Sequence, residues 1–269
     1  MGDPIAVNTA ISLLRHAFGL LTRKPLKTLW VLAPALILMC GVGVMTIAMA
    51  PELLLINPTA PDLRELRGGG AALGLIMAFI FSYAFMAILW HRYTLSDERA
   101  PQPMGLGLLI GYLWRVLALA LIQLTVSLAM VIPLILASNS GTATGGGASL
   151  WSMLLTTFVT QTVLLWLSLR LSLILPAAAM GRPIRMRLSW QHTNALSRPL
   201  WGVAAVLAAI NTGLSVLVRA IDLDSPGQIL ALELPIYIFE GLLIFSVLTT
   251  LYARQIQQVR LIRSKPCHP

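Results

Sequence analysis

Six long apolar segments, each free or nearly free of charged residues, alternate with short polar segments along the chain. About 20 residues of α-helix cross the roughly 30 Å hydrocarbon core of a bilayer, so segments of this length predict membrane spans. The apolar residues run continuously, which favours helices over the alternating strands of a barrel. We predict six transmembrane helices, at about residues 28–50, 70–91, 115–137, 150–176, 200–219 and 229–252.

The composition leads to the same fold class. Of the 269 residues, 57% are hydrophobic and 11% are charged, and the mean hydropathy is +0.82. These values are far from those of soluble globular proteins, so lipid must solvate most of the chain. The sequence predicts an all-α polytopic membrane protein that forms a single integral membrane domain over residues 1–269.

The basic residues indicate which way the spans point. Sixteen of the 19 Lys and Arg residues fall at one side of the predicted membrane, and only Arg64, Arg67 and Arg219 fall at the other. Segments retained in the cytoplasm are enriched in Lys and Arg, so we expect both termini to be cytoplasmic. The net charge of +9 does not indicate nucleic-acid binding, because no segment is long enough to form a soluble basic domain.

Two amphipathic segments on the cytoplasmic side are predicted to form helices that lie flat at the membrane surface. In the first, apolar residues recur every three or four positions over residues 7–21, just before the first span. The second begins at Pro183, before the fifth span. Its basic residues are Arg182, Arg185 and Arg187.

These surface segments suggest an internal repeat. Both enter the membrane through a basic residue followed by Pro-Leu, and a more degenerate segment after Pro101 and Pro103 precedes the third span. One interpretation is three units, each a surface helix followed by a transmembrane hairpin, at residues 1–93, 97–176 and 181–253. Chance similarity of the junctions accounts for the pattern equally well.

Two acidic residues lie within the sixth span, where a charge is costly enough to suggest a function. Glu233 is near the outer interface, where Arg219 is expected to pair with it, and Glu240 is near mid-membrane on the same helix face. Glu240 is either a protonatable or cation-binding site, or a protonated acid hydrogen-bonded to a neighbouring span. Gln161 in the fourth span is a neutral candidate partner, and Asn211 in the fifth is expected to hold helices together.

Arg170 is the most unusual cation, because apolar residues follow it as far as Pro176. We expect its side chain to extend to the cytoplasmic interface; the alternative is that it binds a lipid phosphate or a carboxylate within the bundle. His91 and Arg92 end the second span at the same level. Together the three residues predict a pocket for an anionic lipid.

The sequence lacks the patterns of soluble-type catalysis. It has no Gly-x-x-x-x-Gly-Lys phosphate loop, no Gly-x-Ser-x-Gly elbow and no His-Glu-x-x-His metal helix. Cys40 lies in the first span and Cys267 in the cytoplasmic tail, so no disulfide is expected, and the four histidines have no ligand spacing. We expect no cofactor, no metal site and no enzymatic activity of the soluble type; a membrane-embedded enzyme would need polar groups that converge at one depth.

Three stretches carry a family resemblance: the basic lead at residues 16–25, residues 90–93, and residues 170–176 followed by a basic amphipathic helix. Together they resemble the bacterial YciC-like six-helix membrane proteins, and the similar membrane domain attached to some glycerophosphodiester phosphodiesterases. The resemblance covers nearly the whole chain and implies a six-helix bundle in the bacterial inner membrane, in a family of largely unassigned function. It implies no catalytic residue, because this chain lacks the phosphodiesterase domain.

Two functions agree with the sequence. The first is a non-catalytic scaffold or accessory protein that binds membrane lipids or a protein partner in the membrane. Its candidate contacts are Arg170, His91, Arg92, Arg182, Arg185 and Arg187. The second is transport of a small solute or ion, with Glu240, Glu233 and Gln161 as the intramembrane coupling site. The sequence alone favours the first, because recognisable polar chemistry concentrates at the cytoplasmic interface.

Overall fold

The computed structural model of the protein describes residues 4–51, 69–96, 103–139, 150–221 and 225–264. Within these ranges the chain forms α-helices joined by short turns, without a β-strand. In chain order the helices are α1 Pro4–Thr22, α2 Pro25–Met49, α3 Gly69–Leu95, α4 Leu106–Asn139, α5 Leu150–Leu171, α6 Ile174–Ala179, α7 Met186–His192, α8 Ser197–Ala220 and α9 Pro226–Ser264. A short 3₁₀ helix, Asn194–Leu196, joins α7 to α8.

Six of these helices, α2, α3, α4, α5, α8 and α9, are long and apolar enough to cross a membrane. A helix satisfies its own backbone hydrogen bonds, which is why apolar segments of this length fold this way in lipid. Large apolar side chains cover the outside of the bundle: Trp30, Ile37 and Leu106 are 81%, 72% and 78% exposed. The prediction of an all-α polytopic fold with six membrane-spanning helices is confirmed.

The fourth predicted span, 150–176, extends beyond the C-terminal end of the observed helix. Helix α5 ends at Leu171, and after a turn the chain forms the short helix α6, whose six residues are all buried. Proline has no backbone N–H, so Pro176 cannot donate to the carbonyl of Ser172 as a continuous α-helix requires. That carbonyl instead accepts from the N–H of Leu175 at 2.9 Å, which tightens the turn and starts a new helix.

The second surface helix begins three residues later than predicted. Helix α7 starts at Met186, because Gly181 adopts φ 74° and Arg185 is extended. The chain therefore crosses this end of the bundle in extended form before α7.

The three predicted repeat units differ in their surface helices. The amphipathic segment at residues 7–21 lies within α1, and α7 precedes α8, but residues 106–114 continue without interruption into the long helix α4. The region 97–102 lies outside the described residues. The threefold repeat therefore stays a prediction.

Two hydrophobic clusters form the interior. The first joins α1, α5, α8 and α9, and includes Leu13, Leu169 and Leu200. The second joins α2, α3, α4 and α6 around Trp90 and Tyr112, both fully buried. The most extensive helix pairs are α5 with α8 and α2 with α3, while α9 packs mainly on α1 and α3. We call the end of the bundle that holds α1, α6 and α7 the terminal end, and the end where α8 is connected to α9 the distal end.

The closest approach of α3 to α9 tests this packing. A methyl group at Gly241 would overlap the ring and hydroxyl of Tyr83, whereas one at Gly213 in α8 would meet open space. Overpacking costs typically about 1–3 kcal/mol, so Gly241→Ala should lower the thermal unfolding temperature in detergent. The matched change Gly213→Ala should leave it unchanged or raise it slightly, since alanine favours helix over glycine. Equal stability of the two variants would contradict the α3–α9 contact.

Candidate functional site

Arg170 lies inside the protein, in the last turn of α5, with only 4% of its surface exposed. Its guanidinium donates to the backbone carbonyl of Trp190 at 3.1 Å and to Oδ1 of Asn194 at 3.3 Å. The same group lies 3.6 Å from the ring centre of Trp190 and 5.3 Å from that of Trp166. These hydrogen bonds and ring contacts are typical of a buried cation that is held by protein partners.

The aromatic rings around Arg170 link three helices. Trp166 of α5 stacks on Trp201 of α8 at 4.6 Å and meets Trp190 of α7 edge-on at 5.9 Å. The buried hydroxyl of Ser189 donates to the carbonyl of Arg170 at 2.8 Å. Arg170 therefore fastens the α7 segment to the end of α5. Its extension to the membrane interface and its binding of a lipid phosphate stay predictions.

His91 is also buried, with none of its surface exposed. Its Nδ1 lies 2.9 Å from Oγ1 of Thr249, and its ring meets the edge of Phe245 at 5.7 Å, so it packs between α3 and α9. Arg92 is half-buried and donates to the carbonyl of Ala179 at 3.2 Å. The predicted lipid pocket of Arg170, His91 and Arg92 is not assembled, because their side chains turn to different protein partners.

The three other arginines that were predicted to bind a lipid or partner have exposed side chains. Arg182, Arg185 and Arg187 all present exposed side chains in or next to α7. Ser189 of α7, in contrast, points inward and is fully buried, although its side chain is polar. Binding of an anionic lipid or partner at these three arginines stays a prediction.

A polar cleft lies between α5, α8 and α9, in the distal half of the bundle. It has a volume of about 310 Å³, and both predicted acids, Glu233 and Glu240, line it together with Gln161. Asn211 of α8 donates through Nδ2 to Oε2 of Glu240 at 2.8 Å, which ties the carboxyl group to the neighbouring helix. The remaining lining residues are Leu214, Ser215, Val218, Ile236 and Tyr237. The three residues predicted from the sequence as an intramembrane site therefore share one cavity.

The cleft changes character beyond Glu240. A smaller cavity of about 130 Å³ continues towards the terminal end, and apart from Gln161, Asn211 and Glu240 all its lining residues are apolar. Three of these, Leu165, Leu207 and Leu243, belong to the hydrophobic cluster that α1 completes. The polar cleft is therefore blocked by dry packing at the terminal end.

One residue of the polar cleft and one partner of Arg170 were not predicted from the sequence. Asn211 was interpreted only as helix packing, although it lies near the middle of its helix, as Gln161 and Glu240 do in theirs. Trp166 precedes Arg170 by one helical turn on the same face, a spacing that predicts a cation–π contact. The expected pair of Glu233 with Arg219 lies outside the described side chains.

Comparison of the chain with protein-family models, with curated proteins and with solved structures finds no match. The resemblance to YciC-like proteins stays a prediction, and the class of protein is defined by the fold and the cleft alone. That class is a multi-pass α-helical membrane protein.

The structural role of Arg170 leads to a stability prediction. Arg170→Lys keeps the charge but loses the planar fork and its stacking on Trp190, so we expect a loss of about 1–3 kcal/mol, on the scale of a charged hydrogen bond or a buried cation–π contact. The measurement is thermal unfolding in detergent, with limited proteolysis of residues 180–197 as a local readout.

The matched control is Arg182→Lys, since Arg182 is exposed and should tolerate the change. If Arg170→Lys were as stable as the control, with the segment equally resistant to protease, Arg170 would not anchor α7.

Proposed function

We propose that this protein is a membrane transporter for a small cationic solute or ion, with Glu240 as its coupling site. The observation that carries the proposal is the cleft of about 310 Å³ that two acids and two amides line within the bundle. A dry, fully packed contact around Glu240 would have argued for a structural acid. The geometry thus favours the second of the two functions that agree with the sequence.

The lining of the cleft suits a positively charged solute. Carboxylate and amide oxygens are ligands for hard cations and acceptors for ammonium groups, and Glu233, Glu240, Gln161 and Asn211 supply both kinds. Among the described side chains that line it, none belongs to Lys or Arg. A cation would also compensate the cost of an ionised carboxylate at this depth.

The position of the cleft supports alternating access. We infer a bacterial inner-membrane protein with both termini cytoplasmic, so that the distal end is the outer side and the cleft is an outward-facing vestibule. The cleft separates the closely packed pair α5 and α8 from α9, which packs mainly on α1 and α3. Transport would require the apolar cluster around Leu165, Leu207 and Leu243 to open. Pro235 lies between the two acids of α9 and removes one backbone hydrogen bond there, which supplies a hinge.

Binding of lipid or a protein partner, as a scaffold, is the second candidate function. The exposure of Arg182, Arg185 and Arg187 favours it, because exposed cations at a membrane surface attract anionic groups. Arg170 and His91 do not favour this function, because both side chains are buried against protein partners.

Proteoliposomes of the full-length protein test the transport proposal. Rapid addition of a panel of small ammonium compounds and alkali cations should produce a transient current with at least one member, recorded on a solid-supported membrane. Glu240→Gln should reduce that current by about tenfold or more, because an intramembrane carboxylate that holds the cation has no neutral substitute.

Glu233→Gln should have a smaller effect, since Glu233 lies nearer the distal end. Arg182→Gln removes a charge outside the cleft and should leave the current unchanged. The proposal fails if no panel member gives a current, or if Glu240→Gln transports as well as the unchanged protein.

A further inference from the structure

Helix α1 presents three different faces. Its inner face, with Ala10, Leu13 and Ala17, is buried against α8 and α9. A second face carries Ile11 and Phe18, two turns apart, which are 57% and 39% exposed. At 100° per residue, the polar residues fall on the third face, next to these apolar side chains and away from the buried ones. Such a helix suits the boundary between protein, hydrocarbon and lipid head groups.

The third face forms a groove of about 400 Å³. Its lining residues are Ser12, Arg15, His16, Gly19, Leu20 and Arg23. Gly19 leaves open space above the helix, so the groove has room between the two guanidinium groups. Arg254 of α9 donates to the hydroxyl of Ser12 at 3.2 Å and brings a third guanidinium to the same edge.

Within the described residues, no carboxylate side chain lines this groove. In the described part of the chain the only carboxylate side chains are Glu233 and Glu240, and both line the cleft in the distal half. Arginine binds phosphate oxygens through two parallel hydrogen bonds, so a groove lined by two arginines favours a phosphate ligand.

We propose that this groove binds the phosphate of an anionic membrane phospholipid, held by Arg15 and Arg23, with Ile11 and Phe18 beside its acyl chains. A free phosphate compound would use the basic face alone. The adjoining exposed apolar face, at the hydrocarbon boundary, adds contacts that the acyl chains of a phospholipid make and a free phosphate cannot. The site is distinct from Arg182, Arg185 and Arg187, and it does not depend on transport through the cleft.

The test is lipid binding to the delipidated full-length protein, measured by native mass spectrometry in detergent. Phosphatidylglycerol is compared with phosphatidylcholine of identical acyl chains, and inorganic phosphate is tested alone. Arg15→Gln with Arg23→Gln should weaken phosphatidylglycerol binding by about tenfold or more, the scale of removing two basic contacts to an anionic lipid. Phosphatidylcholine binding should not change.

Two further comparisons distinguish a specific lipid site from non-specific electrostatic attraction. Lys24→Gln with Lys27→Gln removes the same charge from exposed side chains that do not line the groove and should change phosphatidylglycerol binding less than about twofold. Gly19→Leu fills the groove without changing charge, at a position with open space, and should also weaken phosphatidylglycerol binding. Unfolding temperatures in the same detergent establish that each variant is folded, and Gly19→Leu decides the matter if the double arginine variant is not.

The proposal is overturned if both double variants lose phosphatidylglycerol equally, because the charge then acts without a specific site. It is also overturned if neither the groove variant nor Gly19→Leu loses binding, or if inorganic phosphate alone binds as tightly as the lipid.

Discussion

A carboxyl group half-way along an apolar helix must find polar partners within the bundle, and this constraint decides how α9 meets α5 and α8. An unpartnered polar group in hydrocarbon costs several kcal/mol, in the range of about 2–7 kcal/mol for a neutral one. The side-chain amide of Asn211 donates a hydrogen bond to Glu240 at 2.8 Å and so supplies such a partner, and Gln161 lines the same cleft. The helices are therefore held together by polar groups at a depth where their surfaces do not close on each other, and a cavity results.

The two halves of the bundle treat their charged residues in opposite ways. At the terminal end Arg170 and His91 are buried, and they contact Trp190 and Thr249 respectively. The contacts of Arg170 fix α7 to α5, and those of His91 join α3 to α9. In the distal half the acids line open space. The basic residues left at the protein surface are thus separated from the acidic cleft by the hydrophobic cluster that α1 completes.

The fold class could be predicted from the sequence because lipid imposes one rule on every span, namely length and continuous apolar character. Helix ends that depend on local backbone chemistry were harder: Pro176 moved the end of α5 because a carbonyl lost its donor, which no hydropathy window detects. The role of Arg170 depends on Trp190, which lies 20 residues later in the chain. The two residues meet because α6 and the turn at Gly181 bring the chain back to the end of α5. Glu240 and Gln161 were found because an intramembrane polar residue is informative alone, whereas Asn211 required knowing which helices are neighbours.

If the cleft is a solute site, water reaches it from the distal end and its acids concentrate cations there. The most direct measurement uses full-length protein with Cys40→Ser and Cys267→Ser, in which Ser215→Cys places a thiol on the cleft wall. Its rate of modification by a trimethylammonium-ethyl methanethiosulfonate is compared with that by the anionic sulfonatoethyl reagent. Leu217→Cys, at the same depth on the opposite, 54% exposed face of α8, is the control.

With both rates normalised to those of free cysteine in solution, the cationic reagent should react at position 215 about tenfold faster than the anionic one, because a cleft lined by one sign of charge attracts the opposite sign. Position 217 faces hydrocarbon and should react with neither reagent. Glu233→Gln with Glu240→Gln should remove the preference at position 215. A thiol at position 215 that does not react, or that shows no preference for the cationic reagent, would contradict an acidic, water-accessible cleft.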